Sequence, residues 1–277
     1  MDQEKWMAKF TKMGIFWMHD GHKLRPHALL TSGNHSDGYL NASGIISDPK
    51  LLSQVCREIL KELSWHVPVG SQVFGSAYGA INIAYEFARQ LHLKCGFTEK
   101  VVKKVQFDYG SEEDMDLLYA GLRALEPVCR QIIVNMGMDK DKVKEQLSLL
   151  LQSFNLSEQD IEDFVDTFLN IKRTRMLVKR FEFEPGTKVL VVEDVLNTMG
   201  TTRKTIAALE EKGVTVLPYI LAILNRSGQT HLDERRIFAL IDQKMNIWHP
   251  DECPLCETGS DALRPKQNWI DLTADYD

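Results

Sequence analysis

Glu193 and Asp194 stand side by side at the end of an apolar run, Val189-Leu190-Val191-Val192, and a small polar turn, Asn197-Thr198-Met199-Gly200, leads on to Thr201 and Thr202. Carboxylates at the C-terminal end of a buried strand lie where ligands of open α/β sheets collect. Backbone N–H groups in a turn that opens a helix suit a phosphate, and carboxylates one step earlier suit sugar hydroxyls. The pattern fits a ribose 5-phosphate; an acidic strand end that binds a metal, as in a receiver domain, is the other reading. Neither G-x-x-x-x-G-K-[ST] nor G-x-G-x-x-G occurs, which removes the two usual nucleotide-phosphate loops.

The surrounding pattern supplies the elements that must position these groups. Pro185-Gly186 turns the chain into a buried strand from Thr187 to Asp194, a helix follows from Thr201 to Lys212 and is closed by Gly213, and Leu217 to Leu224 is another buried strand. A similar strand, turn and helix occupy Gln72 to Ile81 and Asn82 to Leu91, after an amphipathic helix from Pro49 to Leu63. Strands alternating with helices indicate a parallel sheet covered on both faces. Trp6, Phe10, Met13 and Trp17 fall at helical spacing from Met1 to Met18, and a polar stretch fills Thr31 to Ser47. Between Tyr109 and Lys172 the strand signal vanishes. N-caps at Ser111, Asp139 and Ser157 start helices over about 112–136, 140–154 and 158–171, the first kinked at Pro127, so 109–172 reads as a helical insertion.

With 277 residues, 44% hydrophobic and 26% charged, the chain is globular and long enough for about two domains. No apolar run reaches the roughly 18 residues of a membrane span, and the charged start MDQEKWMAKF does not read as a signal peptide. The expectation is a cytoplasmic protein without membrane contact. A net charge of −6 gives no bulk basic surface for nucleic acid, so an anionic substrate must be met locally. Five cysteines at irregular spacing read as free thiols in a reducing compartment.

Several stretches together resemble the type I phosphoribosyltransferases, and outside the insertion the chain is most similar to orotate phosphoribosyltransferases with a C-terminal cysteine pair. Val191 to Thr202 resembles the family's phosphoribosyl diphosphate motif, Leu30 to Asn41 its substrate hood, and Gly75 to Ile81 its diphosphate loop. Phe97-Thr98-Glu99-Lys100 with Lys103 resembles the start of its catalytic loop, and Leu177 to Phe181 the returning strand. Asn225-Arg226-Ser227-Gly228 resembles the base-contacting segment, and Cys253-Pro254-Leu255-Cys256 with Gly259 and Pro265 the C-terminal signature. The implied fold is α/β, a type I phosphoribosyltransferase fold with a mostly parallel sheet flanked by helices, a hood and an all-helical insertion. Residues 1–108 and 173–277 would form the main domain, with the hood from 1–48 and the C-terminal segment.

The resemblance implies transfer of ribose 5-phosphate from phosphoribosyl diphosphate to a pyrimidine base, most like orotate, with Mg²⁺ held mainly through the substrate and a homodimer as the working form. Lys100, Lys103 and Asp194 would be catalytic. Glu193, Asp194, Asn197, Thr198, Met199, Gly200, Thr201 and Thr202 would bind phosphoribosyl diphosphate, and Ser76, Ala77, Tyr78 and Gly79 with the two lysines its diphosphate. Thr31, Ser32, Gly33, Tyr39 and Arg226 would bind the base; no protein metal ligand is assigned. A non-catalytic nucleotide-binding regulator and a salvage enzyme for another base are the alternatives.

Asn197 and Met199 stand where the family usually has Thr and Gly, Glu99 where it has Arg, Ala80 where it has Gly and Asn225 where it has Asp. A side chain at Met199 would obstruct phosphate unless it turned away. Cys253 and Cys256, with His249 nearby, have the spacing of half a zinc site and read as a packed turn. His19, His22, His27 and His35 read as polar surface or hood residues, and Tyr39 as cover for the core or a base. Lys103-Lys104 and Lys172 to Arg175 are either anion contacts or solvated charge. Thr98 to Phe107 and Met176 to Phe183 are expected to pair as a hairpin carrying the insertion.

Overall fold

A computed structural model describes residues 2–63, 66–102, 148 and 174–274. The chain divides into two compact units, 1–100 with 176–277 and 101–175. Apart from Ser148, which is helical, the three helices expected within 109–172, together with Lys103, Lys104, Lys172 and Arg173, lie outside the described residues, as does the hairpin arm beyond Val102.

The first unit is built on a seven-stranded sheet. In chain order its strands are β5 (Gln72–Ser76), β6 (Lys94–Val102), β7 (Thr174–Leu177), β8 (Lys188–Leu196), β9 (Thr215–Asn225), β10 (His231–Leu232) and β11 (Arg235–Asp242). In space they run β10-β11-β9-β8-β5-β6-β7. The pairs β5/β6, β5/β8, β8/β9 and β9/β11 are parallel, and β10 is antiparallel to β11. Because side chains alternate across a strand, the unbroken apolar run of β8 serves two cores at once. Leu190 and Val192 join the core under α1 (Gln3–Lys12), α3 (Pro49–Leu63) and α4 (Ile81–Leu91). Val189 and Val191 join the opposite core, against Ile206 and Leu209 of α5 (Gly200–Glu210).

Local signals explain the helices. Asp48 accepts hydrogen bonds from the N–H groups of Lys50 and Leu51 at 2.9 and 3.1 Å, so α3 starts on a side-chain cap with Pro49 in its first turn. Its buried residues, Leu51, Leu52, Val55, Cys56, Ile59, Leu60 and Leu63, form one helical stripe. Trp17 corrects the sequence reading. The helix ends at Lys12, Gly14 takes φ +69°, and Phe16–Met18 form strand β1, paired with β4 (Gly38–Leu40). The apolar spacing continues through Trp17, but the left-handed glycine ends the helix before it.

The returning arm is also corrected. Strand β7 stops at Leu177, and Phe181 and Phe183 instead pack their rings 5.3 Å from Phe74. Burying two aromatic rings on the sheet face outweighs continuing a ladder.

The hood is a separate four-stranded sheet, β12-β3-β2-β13, joining β2 (His27–Leu29) and β3 (His35–Ser36) to β12 (Ile247–Trp248) and β13 (Ala262–Leu263). Helix α2 (Ala42–Ile46) links the hood to α3, and the short helices α6 (Pro254–Glu257) and α7 (Trp269–Thr273) complete the C-terminal segment.

Candidate functional site

Strand β5 leads through α4 to its neighbour β6 on one side, and β8 leads through α5 to β9 on the other. The two helices therefore lie on opposite faces, and the loops after β5 and β8 part from each other. Such a divergence is where open α/β sheets bind ligands. A cavity of about 340 Å³ opens there, lined by Ser76, Ala77 and Gly79 from one loop and by Glu193 to Val195 and Asn197 to Thr202 from the other.

The two carboxylates have different surroundings. Glu193 is buried, with its oxygens accepting from the Ser76 hydroxyl at 2.5 Å and the Thr202 hydroxyl at 3.1 Å. Burial pushes its carboxyl up to about 7, Asp194 adds to the rise, and the two hydroxyls hold it down in part. Asp194 is half-buried and faces the cavity, with Oδ1 accepting from the Val195 N–H at 2.7 Å. Its pKa is also raised by burial. The sequence reading gave both residues one task; the structure makes Glu193 a brace between two loops and leaves Asp194 in contact with the cavity.

Gly79 is required by this arrangement. A Cβ built on it would overlap the Asp194 carboxylate, so a side chain there would push that carboxylate from its place at the cavity.

Met199 answers the obstruction posed by its side chain. Its φ of 59° is the left-handed conformation that a glycine would adopt freely, and its side chain is 4% exposed within the core formed with Val189 and Ile206. The backbone of the turn lines the cavity while the thioether points inward. Burial of the side chain offsets the strain of a left-handed non-glycine residue, on the order of 1–2 kcal/mol. Gly200 then begins α5, so the polar turn and the helix N-terminus converge as the spacing implied.

Other expected site residues do not line the cavity: Tyr78, Lys100, Thr31, Ser32, Gly33, Tyr39 and Arg226. Thr31, Ser32 and Gly33 form an exposed hood turn, with Gly33 at φ +89°. Tyr39 covers the hood's small core, its ring 6.3 Å from that of Trp269. Tyr78 is 88% exposed, and Lys100 is exposed on β6. Glu99 accepts from Arg180 Nε at 2.8 Å.

Arg226 is buried, and its Nη2 donates to Ser36 Oγ at 2.6 Å while Nε has no hydrogen-bond partner among the described residues. Asn225 organises this segment. Its amide donates to the Gln229 carbonyl at 2.7 Å and to Asp242 at 3.0 Å, and its oxygen accepts from the Ser227 N–H and hydroxyl. An aspartate would place like charge against Asp242, which explains the amide here.

Sequence reasoning missed Val195 in the cavity lining and the brace through Ser76 and Thr202. His27 and His35 lie on hood strands, one of the two places read for them, and both are buried, with His27 Nε2 3.0 Å from His35 Nδ1.

The fold and site define an α/β protein with a carboxylate and a helix N-terminus together at one strand end, an arrangement suited to an anionic ligand. The chain is similar to the orotate phosphoribosyltransferases. It is 24% identical over 271 residues to the one from Desulforamulus reducens, spanning 98% of this chain and all of the relative. It is 26% identical over 250 residues to the one from Acidithiobacillus ferrooxidans, spanning 89% and 91%. A solved orotate phosphoribosyltransferase from Aeropyrum pernix aligns with a TM-score of 0.46 and 17% identity over 85% of this chain and 92% of that one. No family model matches.

Proposed function

We propose that this protein transfers ribose 5-phosphate from phosphoribosyl diphosphate to orotate, giving orotidine 5'-monophosphate and diphosphate. The observation that carries the reading is the cavity at the divergence of β5 and β8, lined both by the Asp194 carboxylate and by the turn that opens α5 at Gly200. The full-length similarity to orotate phosphoribosyltransferases supports the choice of reaction.

The turn Asn197 to Thr202 cradles the 5-phosphate with its backbone and hydroxyls. Asp194 binds the ribose hydroxyls and stabilises the positive charge that grows on the ring as diphosphate departs. Glu193 acts through Ser76 and Thr202, holding the diphosphate loop and the phosphate turn at a fixed separation. Ser76, Ala77, Tyr78 and Gly79 receive the diphosphate, and Lys100 and Lys103 neutralise it as it leaves. Arg226, whose buried Nε lacks a partner among the described residues, offers a donor to the base, with the hood residues Thr31, Ser32, Gly33 and Tyr39 closing over it.

The donor set fits Mg²⁺: one partly exposed carboxylate, Asp194, leaves the remaining positions to substrate oxygens and water, the habit of this ion. When bound, it would neutralise diphosphate charge. The working form in this reading is a cytoplasmic homodimer.

Incubation with phosphoribosyl diphosphate, Mg²⁺ and a panel of bases, with release of diphosphate followed, tests the proposal. Release with orotate alone is expected. Release only with another base would make this a salvage enzyme, and nucleotide binding without release for any base would make it a regulator.

A further inference from the structure

The strongest unassigned cluster lies in the hood, apart from the cavity. His27 on β2 and His35 on β3 meet Cys253 and Cys256, which lie more than two hundred residues further along the chain. One nitrogen or sulfur from each lies within 4.8 Å of all the others. His27 Nε2 is 3.0 Å from His35 Nδ1 and 3.5 Å from each sulfur, and Cys256 Sγ is 3.2 Å from His35 Nδ1. Tetrahedral zinc, with bonds of about 2.0 Å to nitrogen and about 2.3 Å to sulfur, sets N···N at about 3.3 Å and N···S at about 3.5 Å. The four separations given match those edges to within about 0.4 Å, and the other two are no more than 4.8 Å.

The hydrogen bonds around the cluster orient one ligand. The Ser260 hydroxyl donates to the Arg25 carbonyl at 2.6 Å, so its oxygen is left to accept from His27 Nδ1 at 2.8 Å. The ring proton is thereby placed on Nδ1, and the Nε2 lone pair faces the sulfurs. A histidine held this way by its other nitrogen is the usual outer support of a metal ligand. His27, His35 and Cys253 are buried and Cys256 half-buried, as in a closed structural site.

The surrounding sheet gives such a site a task. Strands β12 and β13, which flank the cysteines in sequence, each pair with the hood through only two residues. Ladders so short contribute little, and a four-ligand tie between the hood strands and residues 253–256 would hold them.

We propose that His27 Nε2, His35 Nδ1, Cys253 Sγ and Cys256 Sγ bind one zinc ion, forming a structural Cys₂His₂ site that fastens the C-terminal segment to the hood. Binding with both sulfurs as thiolates releases their two protons. The proposal stands independently of the transfer reaction.

The test uses the full chain, purified under reducing conditions. Metal analysis is expected to find one zinc per chain. After chelation, added Co²⁺ should give thiolate-to-cobalt charge transfer and the intense visible bands of a tetrahedral ion, and zinc should displace it. Cys253→Ser with Cys256→Ser should abolish the charge-transfer band, whereas Cys95→Ser should leave it unchanged. Ser260→Ala should keep the tetrahedral spectrum and weaken zinc by about 10- to 100-fold, because it removes only the outer support. The wild-type cobalt titration decides the matter even if the double variant does not fold. Absence of metal and of a cobalt spectrum in the reduced chain overturns the proposal, as does an unchanged spectrum in a folded double variant. A Cys253–Cys256 disulfide in place of metal binding would overturn it equally.

Discussion

Glu193 sets up a pH dependence whose sign and size follow from its burial. The carboxyl titrates near 7 in the folded chain against an ordinary 4.5. Below about 4.5 both folded and unfolded chains hold the proton, and the residue adds no pH dependence. Between about 4.5 and about 7 the folded chain keeps a proton that the unfolded chain has lost, so stability falls as pH rises. Above 7 both are ionised and the penalty is complete, at about 3 kcal/mol from 1.36 kcal/mol per pH unit of displacement. Glu193→Gln removes the charge but keeps both contacts, since its amide oxygen can accept from one hydroxyl and its nitrogen donate to the other. Urea unfolding followed by tryptophan fluorescence, on both proteins from pH 5 to 8.5, measures the difference directly, because titrating groups that do not interact with Glu193 cancel and the Asp194 interaction belongs to the shift itself. The variant should gain about 2.5 kcal/mol relative to wild type between about pH 5 and 8.5, the rest of the penalty being already present at pH 5. Parallel stability curves would refute the assignment of a neutral, buried Glu193 at low pH.

Asp194→Asn should lower turnover by at least about 10²-fold, the loss expected when a charge-stabilising group is removed, while its unfolding midpoint at neutral pH should be no lower than wild type's, because burial disfavours the Asp194 charge; an unchanged rate would remove Asp194 from the site. Gly79→Ala should cost about 1–3 kcal/mol of stability as the new methyl and the Asp194 carboxylate are forced apart. Its turnover should fall as well, and wild-type values for both would show that the loops do not meet as described. Arg226→Ala should raise the KM for orotate by about 10- to 100-fold, the worth of a charge-assisted hydrogen bond, and change that for phosphoribosyl diphosphate much less. An equal loss for both substrates would make Arg226 a structural residue through Ser36.

The parts of this molecule legible in its sequence are those set by local pattern. Pro49 and an apolar stripe mark α3, and the unbroken run before Glu193 marks a strand buried on both faces. The carboxylate pair and polar turn were legible because strand, turn and helix follow one another without interruption. Where distant groups compete with local pattern, the sequence misleads. Helical spacing carries through Trp17, yet pairing with β4 claims that residue once Gly14 has turned the chain. Phe181 and Phe183 have strand character and instead cover Phe74. Met199 reads as an obstacle because nothing local shows that its side chain has a core to enter. The four-residue hood cluster is invisible for the same reason: His27 and His35 carry no zinc spacing of their own, and the cysteine pair looks incomplete without them.

The central claim is that the cavity between the loops after β5 and β8 transfers a ribosyl phosphate to orotate. Its most direct test is mass-spectrometric detection of product after wild type and Asp194→Asn are each supplied with orotate, phosphoribosyl diphosphate and Mg²⁺. Orotidine 5'-monophosphate should accumulate in step with diphosphate for the wild type, and at least about 10²-fold more slowly for the variant. No orotidine 5'-monophosphate from the folded wild-type protein, or equal rates from both, would contradict the account.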